Sequence, residues 1–227
     1  MSDMISIRDI AKGIASLAYP AQCAACKAPV DDGGEIPVCR DCLDKIRPSE
    51  RPPESDARRF SFSCAYSVCR YEGSMKELTH SFKYRRKASL AKLFSNILTD
   101  FINDRPEILQ GIDIVTFVPL QAARSREREF NQSELLARGI AGHFSIAVEC
   151  LLEKAAATKN QNKLPREERM VNLRGAFRPK AGAGPAGRRV LLVDDVMTTG
   201  ATLDECSKTL IDAGAIEVRC LTLSRGA

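Results

Sequence analysis

Two adjacent carboxylates, Asp194 and Asp195, follow a four-residue apolar run, Val190-Leu191-Leu192-Val193, and lead into Thr198-Thr199-Gly200-Ala201-Thr202. The run is too short for a helix and suits a strand buried on both faces, expected to stop at Asp194. Neighbouring acids at the end of such a strand repel one another and are costly to desolvate, so they need either full exposure or a task. The small-residue loop opens a helix whose apolar face is Leu203, Cys206, Leu210 and Ile211, with Gly214 placed to end it. A Gly/Thr loop at a helix N-terminus gathers unpaired amide N–H groups, hydroxyls and the positive end of the helix dipole at one point, which suits a phosphate. Ionised aspartate only accepts hydrogen bonds, and a sugar diol has two to donate. Together these features read as a cradle for ribose 5-phosphate, with Asp194 and Asp195 on the ribose hydroxyls and Thr198 to Thr202 around the phosphate. The competing interpretation is a strand followed by an ordinary capped helix. Capping accounts for one threonine, but not for two aspartates and a five-residue small or hydroxyl loop.

A second set of chemistry-bearing residues lies near the start of the chain. Cys23 and Cys26 form one C-x-x-C pair, Cys39 and Cys42 another, with twelve residues between the pairs that include Asp31-Asp32-Gly33-Gly34. A Gly-rich turn lets two knuckles fold back and bring four thiolates into the tetrahedron that zinc takes in closed structural sites. In a segment with so little core, metal binding supplies most of the folding free energy. Two redox pairs or free thiols are the alternative, although redox C-x-x-C motifs usually occur singly at a helix start. With no histidine nearby, ligation by all four cysteines leaves no open position for catalysis.

These residues need elements to position them. A chain of 227 residues with 44% hydrophobic content suits one sizeable domain plus a small appendage. The formal net charge of +5 favours anionic ligands without singling out nucleic acid. No window approaches 18 apolar residues, so no membrane span is expected; Arg8, Asp9 and Lys12 interrupt any signal-peptide core, and the cysteine placement suits a reducing cytoplasm.

Ile7, Ile10, Ile14 and Leu17 predict an amphipathic helix over 4–18, and the Pro-rich, charged stretch 47–59 a linker between a 1–52 unit and a 60–227 domain. The alternating stretch 60–71 predicts a strand, with Cys64 and Cys69 on opposite sides as small buried hydrophobes. Met75, Leu78, Thr79 and Phe82 predict a short helix carrying His80, a structural histidine. Lys83 to Lys87 is a basic run, either a solvated face or an anion site. Leu90 to Phe101 predicts an amphipathic helix, 112–118 a buried strand, and 121–132 a loop bearing Arg124, Arg126 and Arg128. Another helix follows to about Phe144, then a strand over 146–152. The polar, basic 154–180 connection has the length of a lid or a flap with its own hairpin, returning over 172–177. A last strand spans 216–223, with Ile216, Val218, Cys220 and Leu221 buried. Strands alternating with helices from residue 88 onward call for a doubly wound parallel α/β sheet. A basic loop leaving a parallel strand points into the crevice where such sheets bind ligands, which places Arg124 and Arg128 toward a pyrophosphate.

VLLVDDVMTTGAT resembles the phosphoribosyl pyrophosphate motif of type I phosphoribosyltransferases. The chain as a whole resembles the ComF family, which joins an N-terminal cysteine zinc finger to a phosphoribosyltransferase-like domain. The resemblance rests on C-A-A-C with C-R-D-C, F-K-Y from Phe82, V-P-L from Val118 and R-x-R-E-F-N-Q ending at Gln132. It continues through T-x-x-Q from Thr158, R-x-x-N from Arg169, G-A-F from Gly175 and the acid-pair motif. Glu129 stands where the family usually has glycine. The resemblance implies a type I phosphoribosyltransferase-like fold with a four-cysteine zinc module, and binding of phosphoribosyl pyrophosphate with Mg²⁺. It also implies a role in DNA uptake and natural transformation. Catalysis, if present, would be pentosyl transfer served by Asp194 and Asp195, with Lys159, Arg166 and Arg169 as lid cations. The alternative is an accessory protein that binds single-stranded DNA through its basic runs, with Tyr84 as a stacking surface, on a non-catalytic fold.

Overall fold

The computed structural model describes residues 21–30, 36–56, 58–84, 89–120, 130–154, 173 and 175–226. Five strands form one parallel sheet: β1 (Cys64–Arg70), β2 (Ile114–Phe117), β3 (Ala147–Val148), β6 (Arg189–Met197) and β7 (Glu217–Arg225). Their order is β1-β7-β6-β2-β3. The remaining strands, β4 (Leu152–Lys154) and β5 (Phe177–Pro179), pair antiparallel beside it. The helices are α1 (Arg40–Asp44), α2 (Gly73–Tyr84), α3 (Leu90–Asn103), α4 (Gln132–Phe144) and α5 (Ala201–Asp212), with one 3₁₀ turn at Pro106–Ile108.

Period-two alternation divides the sheet between two cores. Leu191 and Val193 of β6 and Leu221 and Leu223 of β7 pack with Met75, Leu78 and Phe82 of α2, Leu90, Phe94 and Leu98 of α3, and Leu136 and Ile140 of α4. Val190 and Leu192, with Val218 and Cys220, face Leu203, Cys206 and Leu210 of α5 and the stacked rings of Phe60 and Phe62. Residues 190 to 193 are fully buried, as a central strand covered by helices on both faces requires. The fold is therefore the doubly wound α/β sheet that the strand–helix alternation predicts. Helix α3 approaches α4 so closely that a Cβ on Gly139 would collide with Ser95, which restricts that position to glycine.

Strand β6 is longer than expected. It runs through Asp194 and Asp195 to Met197, because β7 continues beside it and pairs Asp194 with Thr222 and Met197 with Arg225. The strand expected over 146–152 divides in two: β3 joins the main sheet, whereas β4 leaves it to pair with β5. The return strand expected over 172–177 is displaced to Phe177–Pro179. Strand β1 is limited to Cys64–Arg70, with Cys69 buried and Cys64 half-buried. Ile216, expected inside, is 58% exposed, and Ile211 is 38% exposed. Ile216 precedes β7, and its N–H bonds the Arg188 carbonyl at the far edge of the sheet, away from the apolar stripe of α5.

The Pro-rich stretch is not free of the domain. The N–H groups of Ser49, Glu54 and Arg70 bond the carbonyls of Val68, Ala65 and Arg47, so residues 47–54 lie antiparallel along the outer edge of β1. The 4–18 helix, the Asp31–Gly34 turn, the Arg124–Arg128 loop and most of the 154–180 flap lie outside the described residues, as does the side chain of Tyr84.

Candidate functional site

The sheet order reverses direction between β6 and β2. From β6 the chain passes through α5 to β7 on one side, and from β2 it passes through α4 to β3 on the other, with the two helices on opposite faces. The N-termini of α4 and α5 both open onto the carboxyl edge at this switch point, where open α/β sheets bind ligands. Asp194 and Asp195 lie there.

Each carboxylate is met by a different element. Asp194 Oδ1 accepts from Ser133 Oγ at 2.7 Å and from the Asp195 N–H at 2.9 Å. Asp195 is only 7% exposed, and its Oδ2 pairs with Lys83 Nζ at 2.6 Å. Burial, and then the neighbouring Asp195 charge, push the Asp194 carboxyl up to about 7, against the opposing pull of Lys83 and Ser133. Burial alone would lower the Lys83 ammonium, but Asp195, with Asp194 and Tyr71, more than offsets it and holds the group above its ordinary value. Lys83 thus offsets the charge of Asp195, and the raised Asp194 carboxyl adds only part of a second negative charge at neutral pH.

Local sequence explains how Lys83 and Ser133 reach these positions. The buried face of α2 runs Met75, Leu78, Thr79, Phe82, and Lys83 lies four residues beyond Thr79 on that same face. At the other helix, Asn131 is the N-cap: its side chain accepts from the Ser133 N–H at 3.1 Å and donates to the Val118 carbonyl at 3.0 Å, tying α4 to the end of β2. Gln132 donates from Nε2 to the Phe82 carbonyl at 3.2 Å and so couples the starting turn of α4 to the last turn of α2. Gln132 and Ser133 had no assigned role from sequence, and Lys83 was read only as part of a basic run, a solvated face or an anion site. The helical spacing onto Lys83 and the Asn-x-Ser start of α4 are the signals that could have found them.

The threonine loop follows Met197. Thr198 is exposed, Thr199 and Thr202 are half-buried, and Gly200 and Ala201 are buried. Gly200 adopts φ +83°, and a Cβ there would sit 3.0 Å from Met197 Cε and 3.2 Å from the Phe60 ring, so both backbone and space demand glycine. The first intrahelical bond of α5 runs from the Asp204 N–H to the Gly200 carbonyl at 2.8 Å. The N–H groups of Ala201, Thr202 and Leu203 therefore precede the helical ladder. Thr199 Oγ1 accepts from the first of these at 3.3 Å. The loop and both aspartates share one strand–turn–helix unit. The predicted Arg124, Arg128, Lys159, Arg166 and Arg169 lie outside the described residues, so of the basic run only Lys83 is placed, turned inward.

The four cysteines are brought together. The sulfurs of Cys23, Cys26, Cys39 and Cys42 lie within 4.8 Å of one another, with 3.7 Å between Cys26 and Cys39. A tetrahedron with metal–sulfur bonds of about 2.3 Å has edges of about 3.8 Å, so the set fits a closed structural zinc site. The Cys39 N–H also points at Cys23 Sγ, 3.4 Å away. The module rests on α2: Cys23, Ala24 and Cys42 share its core, and Ser81 Oγ donates to the Ala24 carbonyl at 2.7 Å, two residues from Lys83. No described helix is long and apolar enough to cross a membrane.

Residues 131–227 match the phosphoribosyl transferase domain family. The chain is similar to DNA utilization protein YhgH of Salmonella typhimurium, 30% identical over 190 residues that cover 82% of this chain and 77% of that protein. It is likewise similar to competence protein F of Haemophilus influenzae, 30% identical over 65% of this chain and 66% of that protein. Among solved structures it is similar to a glutamine phosphoribosylpyrophosphate amidotransferase from Bacillus subtilis complexed with ADP and GMP. That match is 25% identical, covers 62% of this chain and 26% of that one, and has a TM-score of 0.38. A hypoxanthine phosphoribosyltransferase from Staphylococcus aureus matches with 14% identity, 60% and 64% coverage and a TM-score of 0.39.

Proposed function

The chain belongs to the ComF family, with competence protein F and DNA utilization protein YhgH, and on that premise we propose that it binds the magnesium complex of phosphoribosyl pyrophosphate and serves DNA uptake or utilization. The observation that carries this reading is the meeting of two carboxylates with the N-terminus of α5 at the switch point of the sheet. The amides and hydroxyls of 198–202 take the 5-phosphate, and Asp194 and Asp195 take the ribose diol. Arg124 and Arg128 face the pyrophosphate, and Lys159, Arg166 and Arg169 act as lid cations. Magnesium arrives on the diphosphate, whose charge it offsets. In a transferase reaction the bond from the anomeric carbon to the pyrophosphate oxygen breaks, with its electron pair leaving on pyrophosphate. A lone pair on the acceptor closes the new bond, and the acceptor's proton leaves with the released pyrophosphate. The protein contributes charge placement and water exclusion rather than a nucleophile of its own.

We further infer that zinc is held by Cys23, Cys26, Cys39 and Cys42 in a purely structural role. The test of the main reading is calorimetric titration of the zinc-loaded protein with phosphoribosyl pyrophosphate and Mg²⁺. Wild type is expected to bind and Gly200→Pro to lose binding; absence of binding by wild type removes the proposal. Single-strand binding on a non-catalytic fold is the competing account, and it relies on the basic runs 83–87 and 154–180, of which the side chains of Lys83, Lys154, Arg178 and Lys180 are described, Arg178 being paired with Glu153. Lys83 is already committed to Asp195.

A further inference from the structure

Cys26 is the one exposed thiol of the chain: Cys23, Cys42, Cys69, Cys206 and Cys220 are buried, and Cys39, Cys64 and Cys150 half-buried. Its sulfur lies 3.7 Å from Cys39 Sγ, which belongs to the other knuckle. A disulfide has an S–S bond of about 2.0 Å, so these two sulfurs need to close by roughly 1.7 Å. The rest of the cluster faces inward. Cys23 and Cys42 share the core of α2 with Ala24, and the Cys39 N–H points at Cys23 Sγ. The four sulfurs are chemically alike but unequally reachable: one edge of the tetrahedron meets water, and the opposite edge is packed against the domain.

We propose that the Cys26–Cys39 edge is a reversible oxidation site, at which a small peroxide such as hydrogen peroxide joins the two knuckles by a disulfide and so releases the metal. The inference rests on the assignment of zinc to the four cysteines. Ligation keeps all four as thiolates, the form that attacks a peroxide, and exposure then decides which attacks first. A lone pair on Cys26 Sγ bonds one peroxide oxygen, the O–O bond breaks, and the departing hydroxide takes a proton from solvent to become water. Cys39 Sγ then attacks the sulfur of the Cys26 sulfenic acid. The S–O bond breaks, and the second hydroxide likewise leaves as water. Two thiolates have given up two electrons, and one peroxide has become two waters. Cys23 and Cys42 alone do not complete the closed set that a structural zinc needs. A thiol reductant returns both thiolates by exchange. The event reaches the acid pair through α2, because Ser81 Oγ donates to the Ala24 carbonyl two residues before Lys83.

The experiment treats the zinc-loaded full chain with a modest excess of hydrogen peroxide. Released zinc is followed with a metallochromic dye, free thiols with a chromogenic disulfide reagent, and the position of the cross-link by non-reducing peptide mapping. One zinc is expected per disulfide formed, with a Cys26–Cys39 cross-link and recovery of both thiols and bound metal on adding dithiothreitol and zinc. Cys64→Ser/Cys150→Ser removes the half-buried thiols outside the cluster and should release zinc at an unchanged rate. The map on wild type identifies the site without any substitution among the ligands. A first cross-link within one knuckle, Cys23–Cys26 or Cys39–Cys42, overturns the proposal while the zinc assignment stands. So does sulfinic acid on Cys26 with no cross-link, or thiol loss at Cys64 and Cys150 with zinc retained. A chain that takes up no zinc on reconstitution overturns both.

Discussion

Replacing Lys83 with methionine tests the charge balance of the site. Methionine matches the length and apolar stem of lysine, so α2 keeps its packing and only the ammonium is lost. The pair is well buried, with side chains 21% and 9% exposed, so Asp195 would be left as an uncompensated charge beside Asp194. Removing one partner of such a pair costs about 3 kcal/mol, the low end of the usual range because Lys83 keeps some contact with water. For a chain of this size that corresponds to a fall in Tm of roughly 6–12 °C. The deficit should depend on pH. Asp194 already titrates near 7 because of burial and Asp195, and losing Lys83 raises it further. A carboxyl whose folded value is raised keeps its proton in the folded state after the unfolded chain has released it. Stability therefore declines as pH rises from about 4 through the folded value. The variant should be closest to wild type near pH 5 and furthest from it near pH 8. Chemical denaturation at both pH values measures this, and Lys83→Met/Asp195→Asn should recover most of the loss as a double-mutant cycle. A Lys83→Met protein within about 1 kcal/mol of wild type at pH 8 would show that the ion pair has no energetic weight, and the charge argument would fail with it.

Because an ionised Asp194 accepts from a ribose diol more strongly than its protonated form, affinity for magnesium phosphoribosyl pyrophosphate should rise up to about tenfold between pH 6 and pH 8, with proton release seen by calorimetry in two buffers. Asp194→Asn should remove the part of that slope not due to the ligand's own phosphates; an unchanged slope would assign it to the ligand alone. Gly200→Ala should cost about 1–3 kcal/mol, from a positive φ and contact with Met197 and Phe60, and should abolish binding, whereas a fully active variant would detach the loop from the site. Stripping zinc with a chelator should lower Tm and, through Ser81 and the α2 core, weaken ligand binding several-fold without contact between the two sites. Calorimetry on apo and zinc-loaded protein separates these effects, and equal affinities would mean that the module does not brace Lys83.

The periodic part of this molecule was legible from sequence. Val190–Val193, the stripe of α3 and the start of α5 each carry a pattern that local geometry fixes on its own. The acid pair and threonine loop were legible because no structural need accounts for all of those residues. What escaped was non-local. The 47–54 stretch reads as a linker because its prolines and charges exclude a helix, yet its hydrogen-bond partners lie in β1, which nothing nearby in sequence encodes. β6 outruns its apolar core because β7 supplies a ladder for the two acids. Lys83 was read with its basic neighbours, whereas its distance from Thr79 puts it on the buried face.

That last residue also resolves an apparent conflict in the site. Two carboxylates beside the helix end proposed to bind phosphate should repel the anion that a helix end attracts, and at short range in a partly dry crevice the repulsion is not screened away. The conflict disappears if the acids are neutralised before the ligand arrives. Lys83 offsets Asp195, and a carboxyl near pH 7 leaves Asp194 partly protonated. The free site then presents amide and hydroxyl donors around a floor whose negative charge is largely offset. If phosphoribosyl pyrophosphate binds as proposed, its ribose hydroxyls would join Ser133 and Lys83 as donors to the acids, and the charge released at Asp194 would be met by the cation carried on the diphosphate. In the proposed site the ligand would meet an acid pair of which one member, Asp195, is already paired with a half-buried cation. The run of α2 from Met75 to Lys83 is what puts one there.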